Sequence, residues 1–168
     1  MARTRITASQ FGELTEPLLG LTISRPWRGH GSALFLELGG LHREAVAART
    51  RRFSILRGQA TIMMQWSWRI ERVRSIEPGS WCTDRRLEHA INCLKGARIT
   101  AMDVVGRLPE LVLTLSGGRW IHSFMTAEGQ PQWVVFLPDD SWLTVERGAV
   151  IHDTQNQRRR VKRTIGAT

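Results

Sequence analysis

Two arginines and an indole occur together in one short stretch of this chain, residues 25–31, which reads RPWRGHG. Proline and glycine predict a turn there, and a turn does not need a tryptophan for strand pairing. An exposed indole between Arg25 and Arg28 has the chemistry to stack on a nucleic-acid base or to anchor a protein partner. The alternative is that the ring of Trp27 folds back onto the core. Arg25, Trp27 and Arg28 are therefore candidate binding residues.

A second set of candidate binding residues lies in a basic run near the end of the sequence. Residues 158–163 read RRRVKR, which is typical of a flexible tail that neutralises phosphates with strong salt dependence. Arg51 and Arg52 extend the same kind of surface. A tail that improves solubility, or that docks on an acidic protein, is the competing interpretation. The candidates in the run are Arg158, Arg159, Arg160, Lys162 and Arg163.

The net charge of +9 is concentrated at the two ends of the chain. Arg3 and Arg5 lie at one end, and the basic run lies at the other. Without these seven residues, 17 of the 24 basic residues remain against 15 acidic ones. The part expected to fold is therefore nearly neutral, and the charge predicts an acidic partner for the tails.

Motifs for metal binding and for common enzyme classes are missing. None of the five histidines forms an HxH, HxxxH or HExxH pair, and Cys82 and Cys93 form no CxxC motif. The sequence contains no GxSxG, P-loop or GxGxxG pattern, and Asp139-Asp140 follows a proline, where solvated turn acids are expected. We therefore expect a non-enzymatic protein with no metal and no cofactor.

No apolar run approaches the roughly 20 residues that a membrane helix needs, and the N-terminal sequence lacks the apolar region of a signal peptide. Two cysteines without a disulfide pattern are typical of a reducing compartment. We expect a soluble, cytoplasmic protein without membrane contact.

Short patterns occur twice in the same order. The match between residues 34–40, LFLELGG, and 111–118, LVLTLSGG, predicts the same strand and Gly-Gly turn in two places. Residues 67–72 and 141–147 both begin with Ser-Trp, so Trp68 and Trp142 are predicted to hold matching positions. The third match joins residues 19–23 to residues 95–99. We interpret these matches as an internal duplication.

Alternating apolar residues predict strands around these turns. Residues 111–115 and 120–124 flank Gly117-Gly118 as a hairpin, and residues 132–137 and 141–145 flank a Pro-Asp-Asp turn as another. By analogy, residues 60–66 and 68–73 are predicted to be antiparallel neighbours. Both units should therefore be meanders.

One helix is predicted between the two units. Leu87, Ala90, Ile91 and Leu94 share one helical face, Thr83 or Asp84 supplies the cap, and Lys95-Gly96 ends the helix. Residues 41–56 should return as a strand by analogy with the second unit, yet they are rich enough in alanine for a short helix. The sequence leaves both interpretations open.

The predicted fold class is α+β with mostly antiparallel strands, in which two related β-meander halves pack around one core with a connecting helix. The predicted divisions are an N-terminal basic arm (1–17), a first β unit (18–82), the connecting helix (83–95), a second β unit (96–152) and a basic flexible tail (153–168).

The repeated LxGxxI and Gly-Gly pattern, over positions 18–147, resembles small bacterial β-rich proteins of unknown function, some of which are described as toxin-immunity proteins. The resemblance implies a cytoplasmic, non-catalytic protein that binds another protein. It supplies no motif whose residues transfer to this chain.

The expected function is thus a protein-interaction module of the immunity or accessory-subunit type, with another protein as partner. The alternative is a nucleic-acid-associated protein that uses the Arg-rich tail and the Trp27 turn. The tail and this turn lie outside the pattern of the resemblance, so both expectations stand.

Overall fold

The computed structural model describes residues 3–47, 52–126 and 132–154, and this part of the chain consists mostly of antiparallel strands with two α-helices. The mostly antiparallel α+β prediction is confirmed at this level. The strands are β1 (Arg3–Ile6), β2 (Ile23–Arg28), β3 (Leu34–Leu38), β4 (His42–Ala47), β5 (Arg52–Arg57), β6 (Ala60–Met64), β7 (Trp68–Arg72), β8 (Ser75–Gly79), β9 (Ile99–Val105), β10 (Glu110–Leu115), β11 (Arg119–Ser123), β12 (Trp133–Phe136), β13 (Trp142–Glu146) and β14 (Ala149–Asp153).

The helices are α1 (Ala8–Thr15), which a 3-10 turn at Glu16–Leu18 follows, and α2 (Asp84–Asn92). Neither described helix has the length and apolarity to cross a membrane. The helix predicted over residues 83–95 is confirmed as α2. Its predicted inner face is buried, and Gly96 has a φ of 87° after the helix, which glycine adopts without strain.

Each of the two main sheets contains strands from both predicted units. The seven-stranded sheet has the order β1-β14-β13-β12-β6-β3-β2, and the five-stranded sheet has the order β8-β7-β11-β10-β9. Strands β4 and β5 pair with each other in a separate two-stranded sheet. Each main sheet thus combines a meander from one part of the chain with strands from the other part.

One apolar core lies between these layers. It includes side chains from both sheets and from both helices, among them Phe11 of α1, Leu87 of α2, Trp68 and Trp133. Burying a large apolar side chain contributes about 1.5–3 kcal/mol, so this shared core is the main stabilising feature of the fold.

Two segments that precede β2 and β9 tie the sheets together. The amide of Gly20 donates to the carbonyl of Ile99 (2.8 Å), and the amide of Gly96 donates to that of Ile23 (2.9 Å). The amides of Ile23 and Ile99 donate in turn to Ala97 (2.8 Å) and Leu21 (3.0 Å). The helices cross between the parts as well, because α1 packs on β9 whereas α2 packs on β2 and β8.

Residues 41–56, for which the sequence allowed helix or strand, form the β4–β5 hairpin, and the Gly-Gly turn before it makes no hairpin with β3. The predicted repetition of the Gly-Gly hairpin is therefore wrong at residues 34–41. The reason is burial. All five residues of β6 are buried, so β6 occupies the sheet interior between β3 and β12, whereas residues 42–45 of β4 are exposed.

The prediction that residues 60–66 and 68–73 are antiparallel neighbours is also wrong. Strand β6 belongs to the seven-stranded sheet, and β7 pairs with β8 and β11 in the five-stranded sheet. Trp66 and Ser67 connect the two sheets. Both strands carry apolar residues that need cover from a distant part of the chain, which a local hairpin would not supply.

The predicted N-terminal basic arm is an integral part of the fold. Strand β1 pairs with β14, and Arg3 forms ion pairs with Glu146 and with the buried Asp153. Phe11 is fully buried in the core. Residues 3–17 are therefore not an arm, because their apolar side chains and their backbone complete the core and one sheet edge.

Trp68 and Trp142 have different environments despite their predicted match. Trp68 lies in the main core and donates its indole N–H to the carbonyl of Ser32 (2.7 Å), in the turn before β3. Trp142 lies in a smaller cluster with Met63 and Val134 on the opposite face of the seven-stranded sheet. In its contacts Trp68 is similar to Trp133, whose indole donates to the carbonyl of Pro109 (2.9 Å), just before β10.

Candidate interaction surface

Trp27 is half-buried in strand β2 and not in a turn as predicted. Its ring stacks on Phe35 with centroids 4.0 Å apart and planes 9° apart. Its indole N–H donates to the carboxylate of Glu37 (3.0 Å). Trp27 is thus committed to contacts within the fold, which corresponds to the folded-back alternative.

The carboxylate that Trp27 contacts is fully buried. Glu37 also accepts hydrogen bonds from the amide of Gly58 (2.9 Å) and the hydroxyl of Thr61 (2.6 Å), and Arg57 lies 3.5 Å away. A buried carboxylate is tolerated when such donors replace water. This network holds the base of the β4–β5 hairpin against β3 and β6. The alternation of apolar residues in LFLEL, residues 34–38, did not indicate this hydrogen-bond network.

The other predicted binding residues have varied placements. Arg25 donates to the carbonyl of Leu56 (3.3 Å) and lies over the Trp27 ring at 5.4 Å, and Arg28 forms an ion pair with Asp84 (2.8 Å). The backbone of Arg52 belongs to β5, and the structure does not describe its side chain. The candidates outside the described residues are Arg51, Arg158, Arg159, Arg160, Lys162 and Arg163.

Two other tryptophans face solvent. The exposed fractions are 55% for Trp66 and 81% for Trp81. The β7–β8 pairing continues past Gly79, since the amide of Ser80 donates to the carbonyl of Trp68 (2.9 Å). Trp81 is one residue beyond this contact and Trp66 is two residues before it. The two tryptophans therefore flank the same end of the β7–β8 ladder.

The backbone of Trp66 is in an unusual conformation. Its φ is 60°, and the amide of Ser67 donates to the carbonyl of Gln65 (2.8 Å) across it, which defines a γ-turn with a positive central φ. A bulky residue rarely adopts this conformation, and the cost is about 1–3 kcal/mol. Glycine would fit without this strain.

The turn between β2 and β3 lies against this end of the sheet. The hydroxyl of Ser32 donates to the carbonyl of Trp66 (2.9 Å), and the carbonyl of Ser32 accepts from the indole of Trp68. The Arg28–Asp84 ion pair attaches the same region to the start of α2. The predicted site was thus adjacent to the exposed tryptophans, although Trp27 itself is not one of them.

Helix α2 adds cations beside Trp81. Its exposed face carries Arg85, Arg86 and His89, and a shallow open groove of about 420 Å³ lies between them and Pro78 of β8. Within the described part of the chain neither Arg85 nor Arg86 forms an ion pair. We define the tryptophan surface as Trp66, Trp81, Pro78, Arg85, Arg86 and His89.

A serine and an aspartate of the β12–β13 turn lie beside a histidine of β14. The hydroxyl of Ser141 donates to Asp139 (2.6 Å), and its oxygen lies 3.0 Å from Nε2 of His152. A nucleophilic serine would instead donate to the histidine. Ser141 is also 3% exposed. The arrangement therefore fits an ordered turn and not hydrolysis.

Opposing effects act on the carboxyl of Asp139. Desolvation raises its pKa, but hydrogen bonds from the hydroxyl and amide of Ser141 and the nearby His152 lower the pKa, and the net pKa is lowered. Asp139 is thus stabilised in its charged form.

The described residues contain no group of three or more histidine, cysteine or acidic side chains placed to hold a metal ion. Cys93 and His89 do approach each other, with 3.6 Å between the sulfur and Nε2, but no third ligand joins them in the described ranges. This pair therefore carries no metal chemistry here.

Comparisons with protein-family models, with curated proteins and with solved structures gave no match. Function therefore has to be argued from the geometry of this chain. The sequence contained one usable signal for the tryptophan surface, since Trp81 comes two residues before the helix cap Thr83, and Arg85 and Arg86 follow in the first turn of that helix.

Proposed function

We propose that this protein is a non-enzymatic protein-interaction module that binds its partner through the tryptophan surface. The observation that carries the proposal is the pair of exposed indoles, one of which is held in a strained backbone. The fold does not need the indole of Trp66, since glycine would complete the γ-turn without this strain, and Trp81 is 81% exposed. An accessory or toxin-immunity role would use this kind of binding.

Exposed tryptophans of this kind are typical of binding hot spots. A side chain such as Trp81 remains largely in water, and burial by a partner would contribute about 1.5–3 kcal/mol. Trp66 adds a second anchor at the same end of the ladder. Two anchors beside a rim of cations match the apolar centre and polar edge of a protein interface.

A nucleic-acid partner is the second candidate, because indoles and arginines also bind single strands. Arg85 and Arg86 are the arginines of this surface that form no ion pair within the described residues, and tight binding of a phosphate backbone usually uses several more cations than two. The protein partner is therefore the function that we favour.

A capture experiment tests the proposal. The intact protein is immobilised and incubated with a lysate of its own host, in parallel with the double variant Trp66→Gly and Trp81→Ala. The matched control is Val73→Ser, because Val73 is 78% exposed at the other end of the β7–β8 hairpin. A partner protein should be retained by the wild type and the control and lost from the double variant, whose thermal unfolding temperature should be no lower than that of the wild type.

Two outcomes of the capture experiment would contradict the proposal. One is an identical set of captured proteins for the wild type and the double variant. The other is capture that nuclease treatment abolishes, which would favour the nucleic-acid candidate.

We also infer that the chain consists of two related halves around one core. Residues 76 positions apart have corresponding places, and their hydrogen bonds are symmetric. The segments 20–23 and 96–99 exchange equivalent pairs of bonds, and each helix packs on the first strand of the other half. The corresponding pairs include Thr7 and Thr83, Phe11 and Leu87, Leu18 and Leu94, Gly20 and Gly96, and Ile23 and Ile99.

Paired glycine substitutions test this inference. Gly20 and Gly96 have φ values of 84° and 87°, and an added Cβ would meet nothing within 4 Å at either site. Gly20→Ala and Gly96→Ala should each lower the free energy of unfolding by about 1–2 kcal/mol, since an L-residue is strained at positive φ. Chemical denaturation measures both. A loss at one site and none at the other would contradict the symmetry.

A further inference from the structure

We propose that the partner of the tryptophan surface is an acidic segment of a protein chain that also carries an aromatic or aliphatic side chain. This inference rests on the proposed function and adds the chemical class of the partner. Charge, the groove and the comparison of the two helices support it.

The first support is the unbalanced positive charge of the surface. Arg85 and Arg86 are exposed and form no ion pair within the described part of the chain, and the nearby Asp84 is paired with Arg28. Glu88 is the other exposed carboxylate of α2, so the surface keeps a net positive charge. An acidic segment would supply the missing counter-charges. Arginine also offers a bidentate arrangement of donors that matches a carboxylate.

The second support is the helix α1, which occupies the corresponding position in the other half. Its outward residues at the equivalent positions are Ser9, Gln10 and Glu13, and none of them is basic. Both helices pack on the first strand of the other half. The packing of α2 therefore does not require its arginines, which leaves them available for binding.

The third support is the helix cap. In α1 the side chains of Thr7 and Gln10 complete a capping box with the backbone amides. Thr83 is the corresponding cap of α2, its side chain makes no capping bond, and Arg86 replaces the glutamine. Such a box contributes about 1 kcal/mol. The sequence of α2 thus has a cation at a position where a stabilising residue was available.

The groove gives the partner a place to bind. Pro78, Arg85, Arg86 and His89 line the groove, and its volume of about 420 Å³ accommodates one or two side chains. In the sequence the exposed Trp81 lies between Pro78 of β8 and Arg85 of α2. An apolar side chain of the partner would contact Pro78 and the indole, while its carboxylates would contact the arginines.

The experiment uses a fluorescent peptide, EDEFDEEDEF, with the intact protein. Its neutral counterpart is QNQFNQQNQF, and an oligothymidylate of ten nucleotides is the phosphate probe. Fluorescence anisotropy is measured at low and at high salt. The test variant combines Arg85→Glu with Arg86→Glu, and the matched control combines Lys95→Glu with Arg107→Glu, which changes the net charge equally at exposed positions elsewhere.

We expect the acidic peptide to bind the wild type and the control with similar affinity at low salt. The test variant should bind at least tenfold more weakly, and the neutral peptide should bind more weakly than the acidic one. High salt should reduce the affinity of the acidic peptide. The unfolding temperature of each variant serves as the folding control.

Several results would overturn the inference. They are equal affinity for the two peptides, equal affinity of the test and control variants, no binding of the acidic peptide at millimolar concentration, and tighter binding of the oligothymidylate with the same dependence on the arginines. If the natural partner still requires Trp66 and Trp81 but not Arg85 and Arg86, the acidic class is wrong and the proposed function stands. If capture does not depend on the tryptophans, the function itself is wrong.

Discussion

The inward faces of α1 and α2 are alike, and their outward faces differ. Phe11 of α1 and Leu87 of α2 are both buried, and so are Leu18 and Leu94, which follow the helices. At its outward positions α1 carries Ser9, Gln10 and Glu13 and no cation, whereas α2 carries Arg85, Arg86 and His89 beside the acidic Asp84 and Glu88. This difference shows that packing in the core determines which residues occupy the inward face of each helix, while the residues of the outward face can differ and can bind a partner.

The surroundings of the two helices differ in the same way. Strand β1 before α1 is paired with β14 and carries Arg3 in ion pairs within the fold. Before α2, the chain leaves β8 at the exposed Trp81. The cation of Arg3 near α1 is therefore paired within the fold. The region around α2, by contrast, retains the exposed Trp81 and two arginines that form no ion pair within the described residues.

Truncation of the matched leucines is the largest expected effect. Leu18→Ala and Leu94→Ala should each lower the free energy of unfolding by about 2–5 kcal/mol, because both side chains are fully buried and leave a cavity. Urea denaturation at constant m-value is the measurement. A cost that differs by more than about 2 kcal/mol between the two variants would break the comparison of inward faces.

Glu37 provides the next largest effect, and its counterpart by strand position is Thr114. Glu37→Ala should cost at least about 2 kcal/mol, because the amide of Gly58 and the indole of Trp27 lose their buried acceptor. Thr114→Ala should cost less than about 1 kcal/mol, since no such network is present around it in the described residues. Thermal unfolding compares them. Similar costs would show that the network is dispensable.

Restoring the capping box of α2 gives a smaller effect of opposite sign. Arg86→Gln should raise the free energy of unfolding by about 0.5–1 kcal/mol, since glutamine would complete the pattern seen at Thr7 and Gln10. The reciprocal change, Gln10→Arg, should lower it by a similar amount. Chemical denaturation of both variants tests this. If Arg86→Gln does not stabilise the protein and Gln10→Arg does not destabilise it, the argument that Arg86 is retained for binding is lost.

The smallest effect concerns the β12–β13 turn, which differs from the β7–β8 turn by its aspartate. The pKa of Asp139 is lowered in the folded protein, so the charged carboxylate stabilises the fold above its unfolded pKa, and this contribution is lost as the pH falls through the folded pKa. Asp139→Asn should reduce stability near neutral pH by less than about 1 kcal/mol, because the carboxylate is exposed. The difference from the wild type should disappear in acid. Urea denaturation at pH 7 and at pH 2–3 would show it, and a difference that persists in acid would exclude the charge as the cause.

Much of the local structure could be predicted from the sequence. Gly117-Gly118 between alternating apolar residues predicted the β10–β11 hairpin, and the spacing of Leu87, Ala90 and Ile91 predicted α2. The capping box of Thr7 and Gln10 was equally legible in the sequence, but the basic residues before it favoured the wrong prediction of an arm. These features are local, because each depends on residues within a few positions.

The candidate site was predicted less well. Arg28 lies beside the tryptophan surface through its ion pair with Asp84. The sequence left open whether Trp27 is exposed or folds back, and Trp66 and Trp81 were not singled out. Seven tryptophans look alike in a sequence, since the exposure of each depends on what distant strands cover. The left-handed backbone of Trp66 has no sequence signal, because glycine or asparagine would be expected there.

The sequence by itself determined the type of those local elements that have a clear apolar period or turn glycines, such as α2 and the β10–β11 hairpin, since these signals act over a few positions. The tertiary structure alone decided which sheet each strand joins. Strands β6 and β7 are separated by three residues yet lie in different sheets, because burial of both against distant strands removes more apolar surface from water than a local hairpin would. The same non-local packing left Trp66 and Trp81 in solvent.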